Sequence, residues 1–249
     1  PGNDPTASAL SPRVRYASFC VFTGPALSPS ASFHPELQLE GVTLNNPWGK
    51  LPQTPPYILS EDAKKLAGRA GTHAGVPVRI DMLPCPFIGS PEQSQVVLLN
   101  LNPAFKEEIA WEHGELRYKE ALKRALTFEN EIPFWPLDPA LAEYAGNVWW
   151  AKKLRSLSAD VPLSVLQTRL MCIQLFPYHT ATKPSSLLTL LGNTASGKFS
   201  RYLVEQSITT RKILIVLRSY SDWCEHVPAL REAEVVRLRN PRNPTLSPG

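Results

Sequence analysis

The chain has only four cysteines, and no two of them lie close together. Cys20, Cys85, Cys172 and Cys224 are spread along 249 residues. Structural zinc sites and iron–sulfur clusters usually draw their ligands from local C-x-x-C pairs, so we expect neither a metal nor another cofactor. Cys172 lies inside an apolar run and is expected to be a small buried hydrophobic residue.

Long apolar segments are absent as well. A helix that crosses a bilayer needs about 20 consecutive apolar residues, and the apolar runs of this chain are much shorter. The sequence also shows no signal peptide. We therefore expect a cytoplasmic protein that does not contact a membrane. Hydrophobic residues make up 43% of the chain, which is enough for a core without disulfide or metal staples.

Proline is abundant, with 25 residues in the chain, about twice the average share. Many of the prolines fall early, among other turn residues. This composition predicts a proline-rich N-terminal extension over residues 1–83, packed on an α/β domain over residues 84–249. The formal net charge of +4 permits a polyanionic partner, although binding of nucleic acid depends on how charges cluster rather than on their sum.

Strand-like apolar segments alternate with helix-length segments after residue 95. The first predicted strand begins at residue 96, and the other three cover 170–176, 212–217 and 234–238. The predicted helices lie near 115–128, 148–157, 198–209 and 220–231. Strands separated by helices indicate βαβ units. We predict a three-layer αβα fold around a central, mainly parallel, four-stranded sheet. The segment LPCPFIGSPEQS is predicted to be a loop, and Trp149 and Trp150 are predicted to be core residues.

Polar side chains gather at the predicted strand ends, where open α/β sheets bind their ligands. The first strand delivers Asn100 and Asn102, the second delivers Gln174, and the third delivers Arg218 and Ser219. Carboxylates are absent from these positions, which excludes a glycosidase that works with a carboxylate pair. No G-x-S-x-G nucleophile turn occurs either.

One segment fits a nucleotide-binding template. GNTASGK at 192–198 matches the phosphate-loop pattern G-x-x-x-x-G-K, but Phe199 stands where a magnesium-binding Ser or Thr is needed. The nearby strand ILIVL also lacks a terminal acidic residue. We interpret the segment as a loop that opens the following helix. The alternative, a nucleotide hydrolase, predicts that Lys198→Ala abolishes ATP binding.

Two short motifs carry a resemblance to a known family. Leu101-Asn102-Pro103 follows the first strand, and NPRNPTLS at 240–247 follows the last. Their order and position resemble the two motifs of the uracil-DNA glycosylase superfamily, over roughly residues 84–249. The mismatch-specific and single-strand-selective branches are the most similar, and the lack of cysteine pairs argues against the iron–sulfur branches.

The resemblance implies a catalytic pair of amides. Asn102 would position the attacking water, and Asn240 would donate a hydrogen bond to a base oxygen as negative charge grows there. One such donor commonly contributes about 3 kcal/mol to lowering the barrier. An alignment anchored on Pro-Arg-Asn-Pro instead shifts the second catalytic position to near Leu238. We expect the side chains of Asn102 and Asn240 to face one cavity sized for a nucleobase.

The same resemblance implies a base-binding pocket. Gln174 would read the edge of a pyrimidine, because a side-chain amide is both donor and acceptor; the alternative is an amide that caps a strand end. Phe105 or Phe176 would stack on the base, with core packing as the alternative for each. His179 would line the pocket, with a solvated loop histidine as the alternative.

DNA is the partner that the resemblance implies, either single-stranded or as a duplex with one base flipped out. Arg242 would enter the base stack as a wedge, and Arg239, Asn243 and Ser219 would contact the DNA. We expect the enzyme to be a monomer. A catalytically inactive member of the fold that only binds DNA is the alternative.

Ala104 predicts the kind of base. In the most uracil-restricted branch a Tyr at this position blocks substituents on C5 of the pyrimidine, whereas the present chain has a methyl group. We therefore expect a monofunctional glycosylase that removes a modified pyrimidine, for example one substituted at C5, or uracil, and leaves an abasic site. A modified base of the kind carried by phage DNA would make the protein a defence factor.

Overall fold

A computed structural model describes residues 38–39, 42–43, 45–71, 77–238 and 246 of the chain. The strands among these residues are β1 Gln38–Leu39, β2 Val42–Thr43, β3 Ala70–Gly71, β4 Val78–Arg79, β5 Phe87–Ile88, β6 Val96–Asn100, β7 Leu170–Gln174, β8 Ile213–Val216 and β9 Val235–Arg237. The α-helices are α1 Ser60–Lys65, α2 Leu116–Leu126, α3 Ala145–Leu154, α4 Leu163–Arg169, α5 Ser185–Leu188, α6 Ala195–Thr209 and α7 Tyr220–His226. Short 3-10 helices cover Pro47–Lys50, Glu107–Gly114, Trp135–Leu137, Pro139–Leu141, Leu157–Ala159, Leu191–Asn193 and Pro228–Arg231.

The central sheet has the strand order β5-β7-β6-β8-β9. Strand β6 pairs in parallel with both β7 and β8, and β8 pairs in parallel with β9. Strand β5 is the exception, since it runs antiparallel to β7. The protein therefore has an α/β fold with a mostly parallel sheet, as predicted, and the arrangement is compatible with three layers.

The predicted number of strands in this sheet is wrong, because β5 adds a fifth. It lies inside the segment that was predicted to be a loop. Phe87 and Ile88 are both buried and pair with β7, but two residues are too few to show a strand pattern. Gly89 follows at φ +100°, and a Cβ there would lie 2.4 Å from the carbonyl oxygen of Leu170. The edge strand therefore depends on a glycine that lets two backbones approach closely.

Strands β6 and β7 form the centre of the core. All five residues of each strand are buried, which is the pattern of parallel strands covered on both faces. Cys172 in β7 is 0% exposed, which confirms the prediction of a buried small hydrophobic residue. Asn100 and Gln174 end these two strands and lie opposite each other in register.

The helix predicted near 115–128 is α2, Leu116–Leu126, and the bounds of the other three predicted helices differ further from the prediction. Helix α3 begins at Ala145 and ends at Leu154, and α6 begins at Ala195, where the Thr194 side chain accepts a hydrogen bond from Gly197 N at 3.0 Å. The last predicted helix is split, since α7 ends at His226 and a 3-10 helix follows from Pro228. A proline cannot donate the hydrogen bond that would continue an α-helix.

The described part of the predicted N-terminal extension shares the core of the sheet. Trp48, Tyr57, Leu66 and Val78 belong to the same cluster of buried residues as β6 and β7. Residues 1–37 lie outside the described part of the chain, and the boundary near residue 83 stays a prediction. No helix among the described residues combines the length and the apolar character that crossing a bilayer requires.

Candidate active site

A cavity of about 340 Å³ lies at the carboxyl ends of β6, β7 and β8. This volume is within the range of small-molecule sites. The strand ends contribute polar side chains to one wall, among them Asn100, Asn102, Gln174 and Arg218. Helical segments contribute an apolar and aromatic wall made of Tyr118, Leu122, Trp135, Pro136, Trp149 and Trp150. The strand ends therefore bring three amide side chains, Asn100, Asn102 and Gln174, to one cavity.

The segments that follow β6 and β7 continue side by side beyond the sheet. Phe176 N donates to Leu101 O at 2.8 Å, and Phe105 N donates to Thr180 O at 3.0 Å. Ala104 and Thr180 also form an isolated parallel bridge. This pairing fixes both strand-end loops and brings Thr180 next to Asn102.

Asn102 is half-buried and lines the cavity. Its Nδ2 donates to Thr180 Oγ1 at 2.7 Å and to Pro103 O at 3.1 Å. Thr180 Oγ1 in turn donates to Thr182 O at 2.6 Å. The amide predicted to position a water is thus held in the cavity wall by two hydrogen bonds.

Gln174 lines the same cavity and is 5% exposed. Its carbonyl oxygen is buried and has no hydrogen-bond partner among the described residues. Buried polar groups nearly always have a partner, so an exception needs an explanation. The alternative of a strand-end cap does not provide one, because the Oε1 atom accepts no hydrogen bond from the backbone. A hydrogen-bond donor inside the cavity, supplied by a water or by a bound ligand, does.

Two histidines form part of the cavity wall. The ring of His179 lies edge-on to that of His113, with centroids 4.7 Å apart. His179 is 6% exposed, and its ring nitrogens lie 3.1 Å from Ala104 O and 3.2 Å from Leu83 O, so it is not a solvated loop histidine. Burial lowers the pKa of His179, although the two carbonyl contacts raise it, and burial holds the pKa of His113 well below its usual value. Burial therefore favours the neutral form of both rings.

Ala104 also lines the cavity and is exposed, but three other predicted site residues do not line it. The Phe105 ring lies under the Arg79 guanidinium, 4.2 Å from its carbon. Phe176 is 1% exposed and packs edge-on against Tyr178, which is the core packing considered as its alternative. Ser219 precedes α7 in the left-handed conformation, with φ 57°. The predicted stacking of Phe105 or Phe176 on a base is therefore not supported by this cavity, whereas the predicted DNA contact of Ser219 stays a prediction.

The remaining predicted site residues lie outside the described part of the chain. These residues are Arg239, Asn240, Arg242 and Asn243. The predicted pairing of Asn102 with Asn240, and the predicted DNA contacts of the other three, stay predictions.

The sequence pattern did not reveal Glu112, His113 or the aromatic wall as site residues. Glu112 is 3% exposed, and its Oε1 accepts a hydrogen bond from Ala145 N at 2.7 Å, at the start of α3. Burial raises the pKa of Glu112, and the hydrogen bond from Ala145 lowers it. Trp150 is a core residue as predicted, but Trp149 is only half-buried and both line the cavity. An aromatic stripe alone cannot distinguish a core from a cavity wall.

Cys85 is the free thiol that lines the cavity. Burial raises the pKa of this thiol to about 12, so it stays protonated and is a poor nucleophile. Within the residues that the structure describes, no group of three or more His, Cys, Asp or Glu side chains could hold a metal ion.

The segment that fits the phosphate-loop template opens α6. Two backbone groups at the start of this helix, Ala195 N and Ser196 N, donate to Asp62 Oδ1 at 2.8 and 3.3 Å. In a phosphate loop such groups would face the nucleotide. Asp62 occupies that position, and Lys198 is exposed. The segment is therefore not a phosphate loop, but neither is it the loop that was predicted, because Leu191–Asn193 is a 3-10 helix and α6 already begins at Ala195.

Comparison of this chain with protein-family models, with curated proteins and with solved structures found no match.

Proposed function

We propose that the protein is a monofunctional DNA glycosylase that removes a modified pyrimidine or uracil. One observation carries the proposal. Asn102 and Gln174, delivered by neighbouring parallel strands, line a single cavity, and the buried Gln174 carbonyl has no described hydrogen-bond partner. The position of Leu101-Asn102-Pro103 directly after β6 supports a uracil-DNA glycosylase-like fold.

The cavity suits a planar base. A Gln amide can donate to a carbonyl oxygen of a pyrimidine and accept from its ring N–H. The aromatic and apolar side chains that line the cavity can pack against the ring of a base. Ala104 is small and lines the cavity, which leaves room for a substituent on the base.

The available chemistry favours glycosidic hydrolysis without a strong base. Breaking an N-glycosidic bond produces a sugar cation and a base anion, so water placement and stabilisation of the leaving group matter most. An amide takes no proton at neutral pH, and Asn102 would therefore orient the water without deprotonating it. Asn240, predicted to donate to the base oxygen, would stabilise the departing anion.

Cationic side chains support DNA as the partner. Lys106 and Arg218 both line the cavity, and Lys and Arg side chains are the usual contacts of DNA phosphates. The formal net charge of +4 also favours a polyanion. Flipping a base costs a few kcal/mol, which such phosphate contacts would offset.

Base release from synthetic oligonucleotides tests the proposal. Labelled oligonucleotides, each with one uracil or one C5-substituted pyrimidine, are incubated with the protein and scored for alkali-labile abasic sites. We expect release of at least one base. Asn102→Ala should slow release by about 100-fold, since a small misplacement of a reacting group costs that much. Asn193→Ala is the matched control, because Asn193 is exposed and does not line the cavity.

The size of the residue at 104 tests the choice of base. Ala104→Tyr should abolish release of C5-substituted bases while retaining release of uracil, because the larger ring would fill the space beside C5. Equal loss for all bases would refute this assignment. If no base is released and Asn102→Ala binds DNA as the wild type does, the protein is instead a DNA-binding member without activity.

A further inference from the structure

We propose that Thr180 is the positioning residue that fixes the orientation of the Asn102 side-chain amide, so that its carbonyl oxygen is the atom left to accept a hydrogen bond. The orientation follows from geometry alone. Its effect on base release rests on the proposed glycosylase function.

The Thr180 hydroxyl can only accept from Asn102. A hydroxyl has a single proton, and that of Thr180 goes to Thr182 O at 2.6 Å. The Asn102 amide lies 2.7 Å from the same hydroxyl oxygen. Only the NH₂ end of the amide can supply the proton for this contact. The reverse orientation would place two oxygens without a proton against each other.

The second amide proton is also engaged. Asn102 Nδ2 donates to Pro103 O at 3.1 Å, so both N–H bonds of the amide have acceptors within the protein. The carbonyl oxygen Oδ1 accepts no hydrogen bond from any described residue. A water beside Asn102 would therefore donate a hydrogen bond to Oδ1. Its lone pairs would then point away from Asn102, towards the atom that the water attacks.

Thr180 is itself fixed by the backbone. It is 3% exposed, its N donates to Pro103 O at 3.3 Å, and its carbonyl oxygen accepts from Phe105 N. The two strand-end loops thus hold both partners of the side-chain contact. A rigid support of this kind is what a reacting group needs when small displacements cost rate.

Three variants separate orientation from packing. Thr180→Val removes the hydroxyl at nearly constant shape, and Thr180→Ser retains it. Thr182→Val is the matched control, because the Thr182 side chain is exposed and its backbone carbonyl is kept. All three should stay folded, as judged by thermal unfolding.

The first readout is independent of any activity. The Asn102 side-chain NH₂ protons are assigned in ¹H–¹⁵N spectra by their loss in Asn102→Asp, and their exchange with water is measured. We expect roughly tenfold faster exchange in Thr180→Val, the equivalent of one hydrogen bond, and wild-type exchange in Thr180→Ser and Thr182→Val. Equal exchange in Thr180→Val and the wild type would overturn the proposal even if the protein released no base.

The second readout is the single-turnover rate with an oligonucleotide whose base the wild type releases. Thr180→Val should cleave about tenfold more slowly with an unchanged dissociation constant for the oligonucleotide, and Thr180→Ser should restore the rate. A variant that binds more weakly but cleaves at the wild-type rate would overturn the positioning role. Absence of base release by the wild type would refute the proposed function, and the exchange measurement would still decide the orientation.

Discussion

The buried carboxylate of Asp62 gives a prediction that does not depend on activity. Asp62 is 0% exposed, and three hydrogen-bond donors of the protein replace the water that its carboxylate has lost. Tyr178 Oη donates to Oδ2 at 2.8 Å, and Ala195 N and Ser196 N donate to Oδ1 at 2.8 and 3.3 Å. The side chain thus caps the 15-residue helix α6 from a position far away in sequence. We predict that Asp62→Ala strongly destabilises the fold.

The magnitude follows from the donors that would lose their acceptor. Removal of a side-chain cap costs about 0.5–2 kcal/mol of the free energy of unfolding. A buried donor left without a partner, here the Tyr178 hydroxyl, costs about 1–3 kcal/mol. Asp62→Ala should therefore cost about 1.5–5 kcal/mol in total. For a domain of this size each kcal/mol lowers Tm by about 2–4 °C, so we expect a fall of about 10 °C.

Urea unfolding followed by tryptophan fluorescence measures the cost, with substitutions that separate its parts. Asp62→Asn retains an acceptor but loses the charge at the positive end of the helix dipole, which contributes about 0.3–2 kcal/mol. Tyr178→Phe removes one donor, and in that background Asp62→Ala should cost about 1–3 kcal/mol less. Glu61→Ala is the matched control, because Glu61 is an exposed carboxylate beside Asp62 on α1.

Two outcomes would refute this reasoning. If Asp62→Ala unfolds within about 0.5 kcal/mol of the wild type, as exposed substitutions usually do, the carboxylate does not cap α6. If the wild type binds inorganic phosphate or ATP and Lys198→Ala abolishes that binding, the start of α6 is an open anion site.

Three further predictions concern other positions. Gly197→Ala should lower Tm although alanine favours helix by about 1 kcal/mol, because its Cβ would lie 2.0 Å from a backbone oxygen; in thermal unfolding Gly146→Ala is the control, since its nearest new contact is 3.6 Å away. Burial lowers the pKa of Lys212 from 10.5 to about 8, so between those values the unfolded chain holds the proton more tightly. In urea unfolding, the stability of the wild type relative to Lys212→Met should therefore rise with pH over this range. Glu112→Gln retains an oxygen that can cap α3, so it should leave the rate of base release unchanged if an amide orients the water. If this substitution lowers the rate of base release, Glu112 is instead the general base.

The buried strands could be predicted because each appears in the sequence as a run of consecutive apolar residues. The runs of β6 and β7 are apolar except for the amide residue that ends each strand, and both strands are buried on both faces. The amides at their ends were visible for the same reason, since a polar residue that interrupts such a run must lie at its edge. Strand β5 shows the limit, because its two residues pair through a long-range contact that no local pattern encodes.

The starts of α3 and α6 could not be placed well, because the side chains that cap them come from distant parts of the chain. Asp62 caps α6 across 133 residues, and Glu112 caps α3 across 33. The N–H groups at the start of a helix need acceptors whenever water cannot reach them, but sequence alone does not say which carboxylate supplies them. A local cap, such as Thr194 at α6, is visible in the sequence only once the helix start is known.

Long-range capping also engages a polar side chain of the cavity wall. The sequence placed no carboxylate at the strand ends, whereas the structure brings Glu112 into the cavity wall from a 3-10 helix. One oxygen of that carboxylate already accepts a hydrogen bond from the backbone at the start of α3. Glu112 therefore caps this helix whether or not a ligand is bound. Asn102 and Gln174 each have a carbonyl oxygen that accepts no hydrogen bond from a described residue. Amide oxygens are therefore among the atoms that can meet a ligand, and amides act by orienting a bound molecule rather than by taking its proton.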